Sequence, residues 1–248
     1  MTRRLLVITV VLLAVAQGIP AHAATAARLY RVYATREGLV GGTTANGHVI
    51  TDHDHFVALP SRRGLSGRDS GDRTVRVCAN NGHCEWAPVW DVGPWNIKDD
   101  YWNDDREMWT DLPAGRPQAQ AAFEDGHNGG HDQFGRQVGN PAAIDLADGT
   151  FWNGLKLTTN AWVTVQFLWT GSTSTGTVRA LSKVRNAPRD SAAEVGMAAP
   201  HAQVPLVCSV DGESTTGTEG TSSTWYRLST GKYLGAAHIA GAPPVEPC

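Results

Sequence analysis

The sequence has no surplus of positive charge. Its 21 Lys and Arg stand against 24 Asp and Glu, a formal net charge of −3 at pH 7. With no basic stripe to follow a phosphate backbone, nucleic acid is not an expected partner. Cysteine is scarce, at four in 248 residues, and none of the four has the C-x2-C spacing of a structural zinc site. Long hydrophobic runs are missing too. The one candidate, Leu5 to Ala16, falls short of the roughly 20 apolar residues that a membrane-spanning helix needs. No Cys follows that run to accept a lipid, and the chain shows no internal repeat.

What surrounds the short apolar run gives it a meaning. Arg3 and Arg4 precede it, Gly18 and Pro20 break it, and Ala21-His22-Ala23 closes it, the order of a secretory signal peptide with an A-x-A cleavage site. Residues 1–23 are therefore expected to be removed, leaving a secreted chain, extracellular or cell-wall associated, without a membrane span and expected to be a monomer. An oxidising compartment lets the cysteines pair. Three pairings are possible for four Cys. Asn81-Gly82 between Cys78 and Cys84 reads as a hairpin turn that would bring those two together, which leaves Cys208 for Cys248.

Glycine is abundant (27 residues), nine Trp carry most of the aromatic content, and apolar segments are short and separated by turn residues, which favours an all-β architecture. Tyr30 to Tyr33 alternates as a first strand. Thr74–Val77 and Glu85–Trp90 read as paired strands around the first Cys pair, and Trp162–Leu168 alternates as a last one. The Gly/Ser/Thr stretch that follows has linker composition. Domain boundaries are thus expected at 28–170, 171–177 (linker) and 178–248. Within the first domain, residues 95–143 form a long irregular insertion crowded with Asp99, Asp100, Asp104, Asp105 and Glu107; only Pro117–Glu124 reads as helix, with Gly126 just past its end. Insertions of that length are often lids or binding loops.

Thr43-Thr44-Ala45-Asn46-Gly47, Ala58-Leu59-Pro60, Asp91-Val92-Gly93-Pro94, and Ile144-Asp145-Leu146 with Phe151-Trp152 follow one another in the order of four family motifs. In this series the chain resembles the rare lipoprotein A family and its expansin relatives over roughly Tyr30 to Trp169. The resemblance implies a six-stranded double-psi β-barrel with a glycan groove, in which Asp145 is the proton donor and Asp91 its orienting or pKa-setting neighbour. A protonated carboxylic acid can donate to the leaving oxygen of a glycosidic bond, and two nearby carboxylates repel, which raises one pKa. Val92 stands where relatives carry Arg, and His48 where they often carry Glu. Read from the residues alone, Asp91 is equally a turn-forming Asp before Gly-Pro and Asp145 a helix N-terminal cap.

Sugar rings pack their C–H faces on aromatics. Trp95, Tyr101, Trp102 and Trp152 are therefore candidates for substrate binding beside Thr35, His48 and His55, with Trp95 and Trp102 expected at the surface because polar residues flank them; Trp86 and Trp90 are expected in the core. Asp52-His53-Asp54-His55 and His127-Asn128-Gly129-Gly130-His131 contain metal-binding side-chain types, but their spacing does not specify a site, and neither a metal nor another cofactor is expected. After the linker, Val184–Pro188, Val207–Gly212, Gly220–Leu228 and Gly235–Ile239 resemble a small bacterial Src-homology-3-like β-barrel, a module that commonly attaches a partner domain to peptidoglycan. The expectation is a protein that binds and remodels a cell-wall glycan, peptidoglycan first, either loosening it as expansins do or cutting it as a lytic transglycosylase does. A secreted, inhibitor-like protein-interaction module is the alternative.

Overall fold

The structure is a computed structural model that describes residues 25–248; the expected signal peptide lies outside the described residues. Six strands form the first half: β1 (Arg28–Arg36), β2 (Val57–Leu59), β3 (Thr74–Cys78), β4 (Cys84–Val92), β5 (Ala142–Leu146) and β6 (Ala161–Phe167). They close into a barrel in the order β1-β5-β2-β4-β3-β6 and back to β1. Two of these contacts, β1 with β5 and β2 with β4, are parallel; the other four are antiparallel.

Alternation explains which faces point inward. Val32 and Ala34 of β1, Val75 and Val77 of β3, and Val163, Val165 and Phe167 of β6 are buried, as a period of two along each strand requires. Strand β4 departs from alternation and is buried continuously from Cys84 to Trp90, because it is packed on both sides. The Cys78–Cys84 disulfide joins β3 to β4 across the expected hairpin turn, and Cys208 is bonded to Cys248. Trp86 and Trp90 lie in the interior as expected.

The insertion between β4 and β5 is irregular apart from α1 (Gln118–Asp125), which ends on Gly126 in the left-handed region at φ 69°. Rather than standing off as a lid, it folds back onto the barrel. Trp102 stacks on Phe167 at 4.9 Å between ring centroids, Tyr101 meets the same ring edge-on, and the Tyr101 hydroxyl donates to the Ala143 carbonyl at 3.3 Å. Both side chains are fully buried. The expected exposure of Trp102 is therefore overturned, and with it the substrate-binding role expected of both rings. Polar neighbours misled that expectation, because Asn96, Asp99 and Asp100 are themselves fully buried and bonded, to groups of the insertion and, for Asp100, also to Arg63 outside it.

The second half carries β7 (Thr175–Val178), β8 (Ser182–Arg185), β9 (Glu194–Ala198), β10 (Gln203–Pro205), β11 (Cys208–Gly217), β12 (Gly220–Ser229), β13 (Lys232–Gly235) and β14 (Ile239–Ala240). Strands β9-β8-β13-β12-β11 run side by side, and β10-β7-β14 form a small second sheet. Half of the segment expected to be a free linker is structured: Thr175 to Thr177 belong to β7, and the Ser172 hydroxyl and backbone N–H bond to Thr25. The Gly/Ser/Thr composition that suggested flexibility also suits a strand once a partner supplies the ladder.

Strand β9 joins the two halves by pairing in parallel with the first residues of β4, Gly196 opposite Cys84 and Ala198 opposite Trp86. The backbones meet so closely that a Cβ on Gly196 would fall within the Cys84 carbonyl. One apolar core, from Val32 and Phe167 to Leu228 and Ile239, runs through both halves.

Candidate functional site

Register brings the two acids of the sequence motifs onto one side of the barrel. Thr35 on β1 pairs with Asp145 on β5, Asp145 pairs with Ala58 on β2, and Ala58 pairs with Asp91 on β4. The four positions make a row across four adjacent strands in which small Ala58 separates the two carboxylates. Asp145 is a strand residue, not a helix cap. Its carboxylate accepts a hydrogen bond from the Thr35 hydroxyl. Asp91 accepts from the backbone N–H groups of Ala45 at 2.8 Å and Val92 at 2.7 Å, so the turn after β1 and the start of the Gly93-Pro94 segment hold it in place. All three side chains keep partial exposure.

A third acid completes the group. Glu37 lies two residues beyond Thr35, just past the end of β1, and its backbone N–H is bonded to the Leu146 carbonyl at 2.9 Å. Burial, a hydrogen bond to Asp91 and the charges of Asp91, Asp145 and Asp148 push its carboxyl up to about 9. Glu37 Oε2 is buried with no hydrogen-bond donor facing it, which further disfavours the ionised form. At neutral pH Glu37 is the protonated member and donates to Asp91. Burial also raises Asp145, to about 6, with the Thr35 hydrogen bond opposing and the Asp91 charge adding to the rise. Glu37 was not anticipated from the motifs. The signal was available in the period of a strand, since residues i and i+2 share a face and Thr35 was already a candidate.

Aromatics flank this row. Trp152 is 44% exposed, on a π-helical turn (Thr150–Gly154) that sends Phe151 inward and leaves Trp152 outward. The Arg36 guanidinium lies 5.7 Å from the Trp152 ring and 2.8 Å from Asp148. Trp95 is half-buried against Ala119, Ala122 and Val138, and its indole N–H donates to Asn140 at 3.2 Å. It follows closely on Gly93, whose missing Cβ would sit 3.9 Å from Asp145 Oδ2. Arg136 lies over both Trp95 and the exposed Phe134.

The histidines do not join the acids. His48 is half-buried, with Nε2 2.7 Å from Asp54 Oδ2 and its ring 4.9 Å from that of Trp90. It borders the turn that holds Asp91 but has its own partners. His55 is buried, with Nδ1 2.9 Å from Glu85 Oε1, and Thr150 donates to the same oxygen at 3.0 Å. That polar knot is buried, so His55 as a substrate contact is overturned: His55 opens the continuously buried stretch that leads into β2, and Glu85 on β4 supplies its partner. His127 bonds to Asp111 at 2.9 Å. Among the described residues no group of three or more His, Cys, Asp or Glu is placed to hold a metal ion.

A family model described as a domain of unknown function (DUF8814) matches residues 28–166, over half of the chain. The chain belongs to this family. The DUF8814 match begins at the first residue of β1 and ends one residue before the last of β6, so it covers the six barrel strands, the acid row and the insertion. No curated protein matches the chain.

Proposed function

We propose that the chain is a secreted cell-wall protein of the rare lipoprotein A and expansin kind, which binds a polysaccharide, peptidoglycan first, across the acid row and protonates a glycosidic oxygen from Asp145. The observation that carries this reading is the grouping of Asp145, Asp91 and Glu37 on one face of the barrel, with Asp145 raised to about 6 and no cation among the causes of its shift or that of Glu37. Such a carboxyl is protonated in a usable fraction at mildly acidic pH and is a competent general acid. The two parallel strand pairs within a closed six-stranded barrel favour double-psi topology, and the antiparallel strands β8, β9 and β11–β13 suit an Src-homology-3-like second unit. The two disulfides are of a kind typical of extracellular proteins.

In the cleavage step, the Asp145 proton passes to the bridging oxygen as the bond from that oxygen to the anomeric carbon breaks. A hydroxyl of the same sugar then forms the new bond to that carbon, and its proton returns to the Asp145 carboxylate. One acid thus serves both halves of a transglycosylation. Asp91, fixed by two backbone N–H groups, presents its carboxyl group toward the developing oxocarbenium ion. Trp152 and Trp95 offer flat faces for neighbouring rings.

The test is incubation of the mature protein and of Asp145→Asn with purified peptidoglycan and with cellulose, following sedimentation and soluble sugar release. The expected result is sedimentation of both proteins with peptidoglycan and release by the wild type alone, reduced at least 100-fold in Asp145→Asn. Sedimentation without fragments from either protein would leave a binding module and refute the acid step. No association with either polymer would refute the glycan reading.

A further inference from the structure

A cleft lies between the barrel and the C-terminal half, formed by different residues from the acid row. It encloses about 320 Å³. Arg76 of β3 reaches it from the outer face of the barrel and Arg227 of β12 from the opposite wall, with Gln166, Thr175, Ser229 and Thr230 supplying further polar groups. No carboxylate is among its lining residues.

Both arginines lack counter-charges. Among the described residues neither makes a salt bridge, and Arg76 Nε is buried with no hydrogen-bond partner. Other arginines of the chain are matched to acids, Arg106 to Asp99 and Arg28 to Asp104, whereas the half-buried Arg185 side chain bonds, among the described residues, only to the Ala192 carbonyl. Burial lowers the Arg76 pKa, and Lys232 is lowered by its own burial and by the Arg76 charge. The Lys232 ammonium is committed to the carbonyls of Gly82 and Val195. A desolvated guanidinium without an anion is costly to hold, because an unmatched buried charge loses its hydration without recovering it in an ion pair. Its planar fork is shaped for a carboxylate. Leu168, Pro205, Val207 and Leu228 make the remaining wall apolar, which suits an organic anion better than a fully hydrated inorganic one.

We propose that this cleft is a binding site for a small organic carboxylate, whose oxygens are held between Arg76 and Arg227 and whose body lies on the apolar wall. The site does not depend on the acid row or on the glycan reading.

Isothermal titration of the mature protein with N-acetylalanine, its uncharged primary amide and inorganic phosphate tests the proposal. Wild-type protein is expected to bind N-acetylalanine saturably and the amide at least about tenfold more weakly. Arg76→Gln and Arg227→Gln should each weaken the carboxylate by about tenfold or more, as loss of a charged hydrogen bond does. Circular dichroism checks that each variant is folded, and Arg76→Lys, which keeps the charge but not the fork, should fall between wild type and Arg76→Gln. Equal binding of acid and amide, equal binding by wild type and both Gln variants, no saturable binding of the acid, or binding of phosphate alone would each overturn the proposal.

Discussion

The chain has two acidic regions, and they are built on opposite rules. In the insertion each buried carboxylate is matched. Asp99 meets Arg106 and caps α1 through the Gln118 N–H at 2.6 Å; Asp100 takes Arg63, Asn103 and the Glu107 N–H; Asp132 takes Arg136 and two backbone N–H groups. In the barrel, Glu37, Asp91 and Asp145 face one another instead. The insertion holds the denser run of acids in sequence, yet its acids are structural. What sets the barrel acids apart is the absence of a cation beside them, and linear density does not report that.

The largest effect expected from breaking this contrast is in the insertion. Arg106→Leu leaves Asp99 buried beside no cation and should destabilise the protein by about 3–5 kcal/mol in chemical denaturation, whereas Glu37→Gln in the barrel should not destabilise it at neutral pH. The aromatics divide in the same way. Trp102→Ala opens a cavity under Phe167 and should cost about 3–5 kcal/mol. Trp152→Ala, at an exposed position, should stay within about 0.5 kcal/mol and be detected as weaker sedimentation with glycan.

Next in size is the pH dependence of the barrel acids. Glu37 moves from an ordinary 4.5 to about 9 on folding. Between those values the folded chain holds a proton that the unfolded chain has released. Its contribution to stability is therefore complete below about pH 4.5 and is lost as pH rises through about 9. Glu37→Gln should flatten that decline, as seen in denaturation midpoints at pH 5 and pH 8. The smallest effect is expected for Thr35→Val, which removes the one hydrogen bond that holds Asp145 down. Carboxyl titration by NMR should move Asp145 upward, and the alkaline limb of any glycan release, which falls as Asp145 loses its proton, should shift in the same direction.

Much of the barrel was legible because β1, β3 and β6 alternate, whereas β4, buried continuously, was legible from its place beside the Cys hairpin. The first three barrel strand segments identified by pattern, the Cys78–Cys84 hairpin and the helix ending at Gly126 rest on local rules that tertiary contacts reinforce. That Asp91 and Asp145 lie near each other was implied only by the family resemblance, and the strand register gives them a shared partner, Ala58. What failed was inference from polar neighbours. Tyr101 and Trp102 pack on Phe167 although Asn and Asp surround them in sequence; His55 failed for another reason, a buried partner, Glu85, 30 residues away. Arg76 was not singled out for a related reason: alternation turns it away from the barrel core, and only the C-terminal half makes that outer face an interior.

The contact between Gly196 and the Cys84 carbonyl also bears on how such a chain can diversify. Units of a chain are exchanged most readily at flexible joints that few contacts cross, where neither side shapes the other. Here the joint is keyed. A replacement C-terminal unit would need a residue without a side chain opposite Cys84 and a strand of matching direction, so the two halves are expected to be inherited together and to vary together, even though the family is defined on the barrel alone.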